Sequence, residues 1–97
     1  MGVVREFRKR YILCRSSLPF REALRIIRES GLRLRIIGRV DDLYVVMCPH
    51  TEKERAIEYL NSRGMATIVT SGTLKALERR GRERGIEFRI RRKRPYR

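Results

Sequence analysis

LRLRIIGRVDDLYVVMC, Leu32 to Cys48, holds two strand patterns of different kinds joined by a pair of aspartates. In its first half Leu32, Leu34 and Ile36 alternate with Arg33 and Arg35, the period of a strand with one buried and one wet face. In its second half Leu43 to Cys48 is apolar without interruption, as a strand buried on both faces would be. Asp41 and Asp42 have short side chains that suit a tight turn. So short a link predicts an antiparallel hairpin.

Working outward, RYILCRS (Arg10 to Ser16) reads as a buried strand, rich in aromatic and branched residues. Ser17 is placed to cap the helix that follows, with Pro19 in its first turn. Phe20, Ala23, Leu24 and Ile27 then fall on one helical face, and Gly31 ends it. Beyond the hairpin, Thr51 and Glu54 have the spacing of a capping box. Ala56, Ile57 and Leu60 supply a second apolar stripe that stops at Gly64. MATIVT (Met65 to Thr70) is a fourth strand. TSGTLKALERRGR (Thr70 to Arg82) then predicts a short third helix, with Ser71 as its cap and Leu74 and Leu77 turned inward. Last, Ile86, Phe88 and Ile90 alternate with Glu87, Arg89 and Arg91, a candidate extra edge strand.

The element order is β-α-β-β-α-β with a helix appended. It predicts an α+β protein of the ferredoxin-like, RRM-like plan, an antiparallel sheet of four strands carrying two helices on one face. Residues 10–90 form the single domain. Residues 1–9 read as a basic N-terminal arm and residues 91–97 as a basic C-terminal tail.

Charge points to the partner. The 97 residues carry 25 lysines and arginines against 11 acids, a net charge of +14. Arginine dominates, and its planar fork grips phosphate oxygens in pairs and stacks on bases. A domain this basic reads as a nucleic-acid binder. The competing reading, a composition biased by a hot habitat, fits the absence of glutamine and the single Asn61, but leaves the shortage of acids unexplained.

The charge is also uneven. Residues 41–62 hold five acids and two bases, whereas residues 78–97 hold ten bases and three acids. In the expected plan the first and fourth strands are neighbours, so both basic ends converge. The candidate RNA surface therefore takes Arg8, Lys9 and Arg10 from the start of the first strand. It takes Lys75, Arg79, Arg80, Arg82 and Arg84 from the third helix, and Arg91, Arg92, Lys93 and Arg94 from the tail. Ser71, Gly72 and Thr73 join them: a helix N-terminus offers free amides to a phosphate, Gly72 permits close approach and Thr73 adds a hydroxyl.

Other chemistry is thin. Cys14 and Cys48 sit in apolar runs as small core residues, and with His50 the only histidine no four-ligand site of thiols and imidazoles can be assembled. No nucleophile–base pairing and no phosphate-binding loop pattern is visible, so no catalytic residue and no bound cofactor are expected. Tyr44 alone does not make the aromatic pair that stacks bases on an RNA-binding sheet. There is no apolar stretch of membrane-spanning length, and a cytoplasmic protein is expected.

RYILC (Arg10 to Cys14) and TSGTLKALERR (Thr70 to Arg80), taken together, resemble the opening strand and closing SGT-(Ile/Leu)-(Lys/Arg) helix of ribonuclease P protein component 2, the archaeal and eukaryotic Pop-five family. The hairpin ending VVMC and the helix carrying AIEYL are similar in order and spacing, and the resemblance spans residues 8–80. It implies a non-catalytic subunit of ribonuclease P, which matures the 5′ ends of transfer RNA. The RNA would carry the catalysis with Mg2+. The protein partner would be ribonuclease P protein component 3, with precursor transfer RNA as the substrate of the assembly. Family members place two helices between their first and second strands, whereas Ser17 to Gly31 has room for one, which bears on any partner or self-association surface built from the missing helix. The final strand and the RRKRPYR tail extend past the usual end, where they could add an RNA contact. The rival readings are another ribonucleoprotein or a DNA-binding protein of the same fold, ribosomal or chromatin-like, and an acylphosphatase-like phosphohydrolase.

Overall fold

Two antiparallel strands, β1 (Lys9–Arg15) and β3 (Leu43–Pro49), run down the middle of the sheet, with Ile12 opposite Val46 and Cys14 opposite Tyr44. The computed structural model describes residues 8–90. β2 (Arg35–Val40) flanks β3, and β4 (Ala66–Ser71) flanks β1, both antiparallel, so the order across the sheet is β2-β3-β1-β4. Three helices complete a small α+β fold: α1 (Phe20–Arg28), α2 (Lys53–Ser62) and α3 (Leu74–Glu83). The strand pairing is compatible with the ferredoxin-like expectation. The arm before Arg8 and the tail from Arg91 lie outside the described residues.

The central strands are apolar on both faces because both faces are covered. Ile12 and Cys14 of β1 join Tyr44, Val46 and Cys48 of β3 in one core, closed by Ala23 and Ile27 of α1 and by Ala56 and Leu60 of α2. The intervening residues, Leu13, Leu43 and Val45, point the other way into a second core under Leu77 of α3 and Phe88. Each fully buried side chain of this size contributes roughly 1.5–3 kcal/mol relative to exposure. Register irregularities in both edge strands, between Ile36 and Gly38 and opposite Leu13 and Cys14, let Ile37 and Ile68 reach the second core beside their in-register neighbours.

Ile86 to Ile90 forms no strand. The segment crosses the second face as an extended strap, which corrects the expectation of an extra edge strand. Its Ile90 amide donates to Glu78 Oε2 at 3.0 Å, a side chain and not a sheet neighbour. Phe88 lies on Gly81, where an added methyl would stand 2.9 Å from the ring, and Ile90 lies against Gly38 of β2. The alternation of Ile86, Phe88 and Ile90 serves packing against α3 and β2, not ladder pairing.

Helix starts differ from expectation too. Ser17 does not cap α1; Pro19 takes that position, and Ser16 accepts from the Leu18 amide one turn earlier. The buried stripe of α1 is Ala23 and Ile27, while Phe20 stays 41% exposed and Leu24 half-buried. The Thr51–Glu54 box does not form, because the chain leaves β3 through a single 3-10 turn, His50–Glu52, and Glu52 instead accepts from the Arg33 amide across the gap. Asp41, at φ 56, takes the left-handed conformation that the tight hairpin turn needs.

Burial pushes the Cys14 thiol up to about 12, and burial beside Glu52 also raises Cys48. A thiol raised in the fold is neutral there, so its stabilisation is complete below its ordinary value near 9 and is lost as pH climbs from there towards 12. The melting temperature is therefore expected to fall between about pH 9 and pH 12, and Cys14→Val, which keeps an apolar side chain without the ionisable group, should flatten part of that fall. Independently, Gly81→Val should cost about 2 kcal/mol by pushing Phe88 off α3, a drop of roughly 8–16 °C in a thermal melt.

Candidate nucleic-acid interface

One end of the sheet gathers the basic start of β1, the close of β4 and the first turn of α3. Pairing sets this up: Lys9 lies opposite Pro49, Arg10 opposite Cys48 and Tyr11 opposite Ser71. The Arg8 carbonyl accepts from the His50 amide at 2.7 Å, extending the register to the first described residue. With Tyr11 opposite Ser71 and the Arg10 guanidinium against Gly72, the start of β1 lies next to the turn into α3.

The turn into α3 is built from its hydroxyls and its glycine. Ser71 is the last residue of β4 and is buried; it does not cap the helix. Thr73 does, its Oγ1 accepting from the Ala76 amide at 3.1 Å. The next amides, of Leu74 and Lys75, open outward from the first turn, with no intrahelical acceptor by construction. Gly72 admits a close approach, and the group that makes it is Arg10: a methyl there would stand 2.7 Å from Arg10 Nη1. Gly72 thus has the Arg10 guanidinium against it and shares a groove wall with Thr73 and Lys75.

α3 divides its cations between two flanks. Leu77 and Gly81 face the sheet and are buried. Lys75, Arg79 and Arg82, spaced i, i+4 and i+7, form one exposed stripe that begins at the turn. Arg80 lies on the opposite flank, and Arg84 follows the last helical residue on that side. Sequence spacing treated all five as one group; the orientation of the helix separates them. Arg91, Arg92, Lys93 and Arg94 fall outside the described residues.

Most of these cations lack counterions among the described residues. The ion pairs formed by described residues join Arg15 to Asp42, Arg25 to Glu22 and Glu29, and Arg33 to Glu52. None of Arg8, Lys9, Arg10, Lys75, Arg79, Arg82 or Arg89 forms an ion pair among the described residues. The ion pairs thus cluster at the hairpin, α1 and the entry to α2, away from the β1–α3 end.

Beside the stripe lies a groove of about 660 Å³ lined by Tyr11, Gly72, Thr73, Leu74, Lys75, Glu78, Arg89 and Ile90. Sequence reasoning passed over Tyr11, read as part of a buried strand, and Arg89, read as the wet face of an edge strand. The signal for Tyr11 was its place next to Arg10 at the strand's entry. Tyr44, which had been weighed as a stacking residue, is wholly buried, with its hydroxyl donating to the Leu18 carbonyl at 2.7 Å. Asn61 uses its Oδ1 to accept from the Thr67 amide and hydroxyl, tying α2 to β4. Among the described residues no group of three His, Cys, Asp or Glu side chains could hold a metal ion, and no helix is long and apolar enough to cross a membrane.

No family model, curated protein or solved structure matches the chain.

The two flanks of α3 give different expectations for RNA binding. Arg79→Ala with Arg82→Ala should lower the slope of log affinity against log salt by about two, one for each lost phosphate contact, whereas Arg80→Ala with Arg84→Ala should change it by less than about one. Filter binding of an RNA hairpin across a salt series checks this.

Proposed function

We propose that this protein is a non-catalytic, RNA-binding subunit of ribonuclease P, with the ferredoxin-like plan its strand order resembles. The observation that carries the reading is the meeting of Arg10, Lys75 and the SGT turn at one end of the sheet. The residues on which the family resemblance rests, RYILC and SGTLK, are strand and helix neighbours there, surrounded by cations without counterions. Such a surface binds a phosphate backbone, and the release of counterions from the RNA supplies most of the affinity. In this reading catalysis and its Mg2+ belong to the RNA, ribonuclease P protein component 3 is the protein partner, precursor transfer RNA is the substrate of the assembly, and the work is cytoplasmic.

The division of labour follows from the charges. A large folded RNA repels itself, and a rigid array of arginines placed against it lowers the Mg2+ needed to hold its active shape. The protein then acts by binding the folded RNA better than the unfolded one.

Reconstitution tests this. The protein is combined with ribonuclease P RNA and component 3, and 5′ cleavage of a precursor transfer RNA is followed at lowered Mg2+. Cleavage should depend on the protein, and Lys75→Glu should weaken it by about tenfold or more, with the loss largest at low salt. Tight RNA binding without stimulation would instead indicate another ribonucleoprotein.

A further inference from the structure

We propose that the groove at the start of α3 binds one unpaired nucleotide of an RNA, its base against Tyr11 and its phosphate beside Lys75 and Arg89. This rests on the RNA-binding reading and adds to it a contact that reads single-stranded structure.

Tyr11 is unlike the other tyrosines that the structure describes. The Tyr44 hydroxyl donates to the Leu18 carbonyl at 2.7 Å and the Tyr59 hydroxyl to the Ile26 carbonyl at 2.6 Å. Each of their rings is also covered by an arginine, Arg39 at 5.3 Å and Arg63 at 5.2 Å. Both are structural side chains with their polar and aromatic capacity used. The Tyr11 hydroxyl has no hydrogen-bond partner and its ring has no aromatic or cationic partner among the described residues. The side chain is anchored by packing on the second core and lines the groove while only half-buried. A rigid aromatic with an unused hydroxyl at the wall of a cavity is a stacking surface with a polar handle.

The rest of the groove matches the parts of a nucleotide. Leu74 and Ile90 give apolar walls for a base or sugar, and Thr73, Lys75 and Arg89 give donors and charge at the rim. Arg10 does not line the groove; its guanidinium lies against Gly72, which does. The one acid present, Glu78, is held back by the Ile90 amide, which donates to its Oε2 at 3.0 Å. At about 660 Å³ the groove falls within the range of pockets that take compact ligands. A base in a duplex is stacked on both faces and cannot enter, so the groove selects loops, bulges and strand ends.

The probe is an RNA hairpin with 2-aminopurine in its loop, set against a fully paired duplex of the same stem, each titrated with the full chain. The loop probe should be quenched on binding by the wild type and by Tyr11→Phe, and the duplex should not. Tyr11→Leu should abolish the quenching and weaken loop binding about tenfold, leaving duplex affinity and the salt slope unchanged. Gly72→Ala, which displaces the Arg10 guanidinium without touching the core, should lower the salt slope by about one and preserve the quenching. Thermal melts confirm that each variant is folded; if Tyr11→Leu melts early, the wild-type contrast between loop and duplex decides. Equal binding of the two probes without quenching would overturn this proposal while leaving the RNA-binding reading in place. Failure to bind either probe would overturn both. Loss of association with the protein partner in Tyr11→Leu, with loop binding and quenching intact, would overturn it in favour of a protein-docking groove.

Discussion

The central pair of strands has no wet face, and the rest of the molecule answers to that. Ile12 and Cys14 on one side and Leu13 on the other are wholly buried, and the same holds across β3 at Tyr44, Val45 and Val46. An apolar sheet exposed on either side would draw other chains to it. α1 and α2 cover the first face. The second is covered by α3 and the strap from Ile86 to Ile90, which packs into the shallow spaces left by Gly81 and Gly38. Once both faces are closed, polar recognition is left to the ends of the sheet and the outer surfaces of the helices.

The charges follow the same constraint. Arginines occupy strand ends, the exposed edge of β2 and the outer flanks of helices, because a guanidinium buried without a partner costs several kcal/mol. Their few acidic partners sit at the hairpin turn, α1 and the loop before α2. Exposed pairs of that kind contribute about 0–1 kcal/mol each, so their main effect is on the shape of the field. The fold tolerates its self-repulsion because apolar burial on two faces outweighs it. The potential left at the β1–α3 end is then available to a polyanion.

Much of this plan was legible in the sequence, and where it was not, the cause was non-local. The Leu32–Cys48 hairpin could be read because alternation, a pair of turn aspartates and a continuous apolar run are local signals of burial. The convergence of Arg10 with Ser71-Gly72-Thr73 followed from element order. The choice of Thr73 over Ser71 as the cap did not, since it depends on how far β4 stays paired with β1, and that pairing still holds at Tyr11 and Ser71. The strap misled for a related reason. A period of two reports which side chains are buried, and an extended segment lying on α3 shows it as well as a hydrogen-bonded strand does. Tyr11 escaped notice because sequence gives a ring its place in a strand but not the company its hydroxyl keeps.

A sheet that binds RNA across its open face needs aromatic side chains standing on that face, with nothing above them. Here the corresponding space is filled by Leu77, Phe88 and the residues around them, so broad stacking across the sheet is unavailable. Only where the cover thins, at the first turn of α3, does an aromatic on β1 reach the surface. Arg10 and Lys75 stand at that same spot because the strand begins there and the helix begins there. Backbone charge and a half-buried aromatic ring thus coincide for one geometric reason. On the proposed reading, an RNA following the cation stripe of α3 towards its N-terminus would arrive at Tyr11, so sequence-independent attraction along the helix would deliver the chain to a place where an unpaired base could be received.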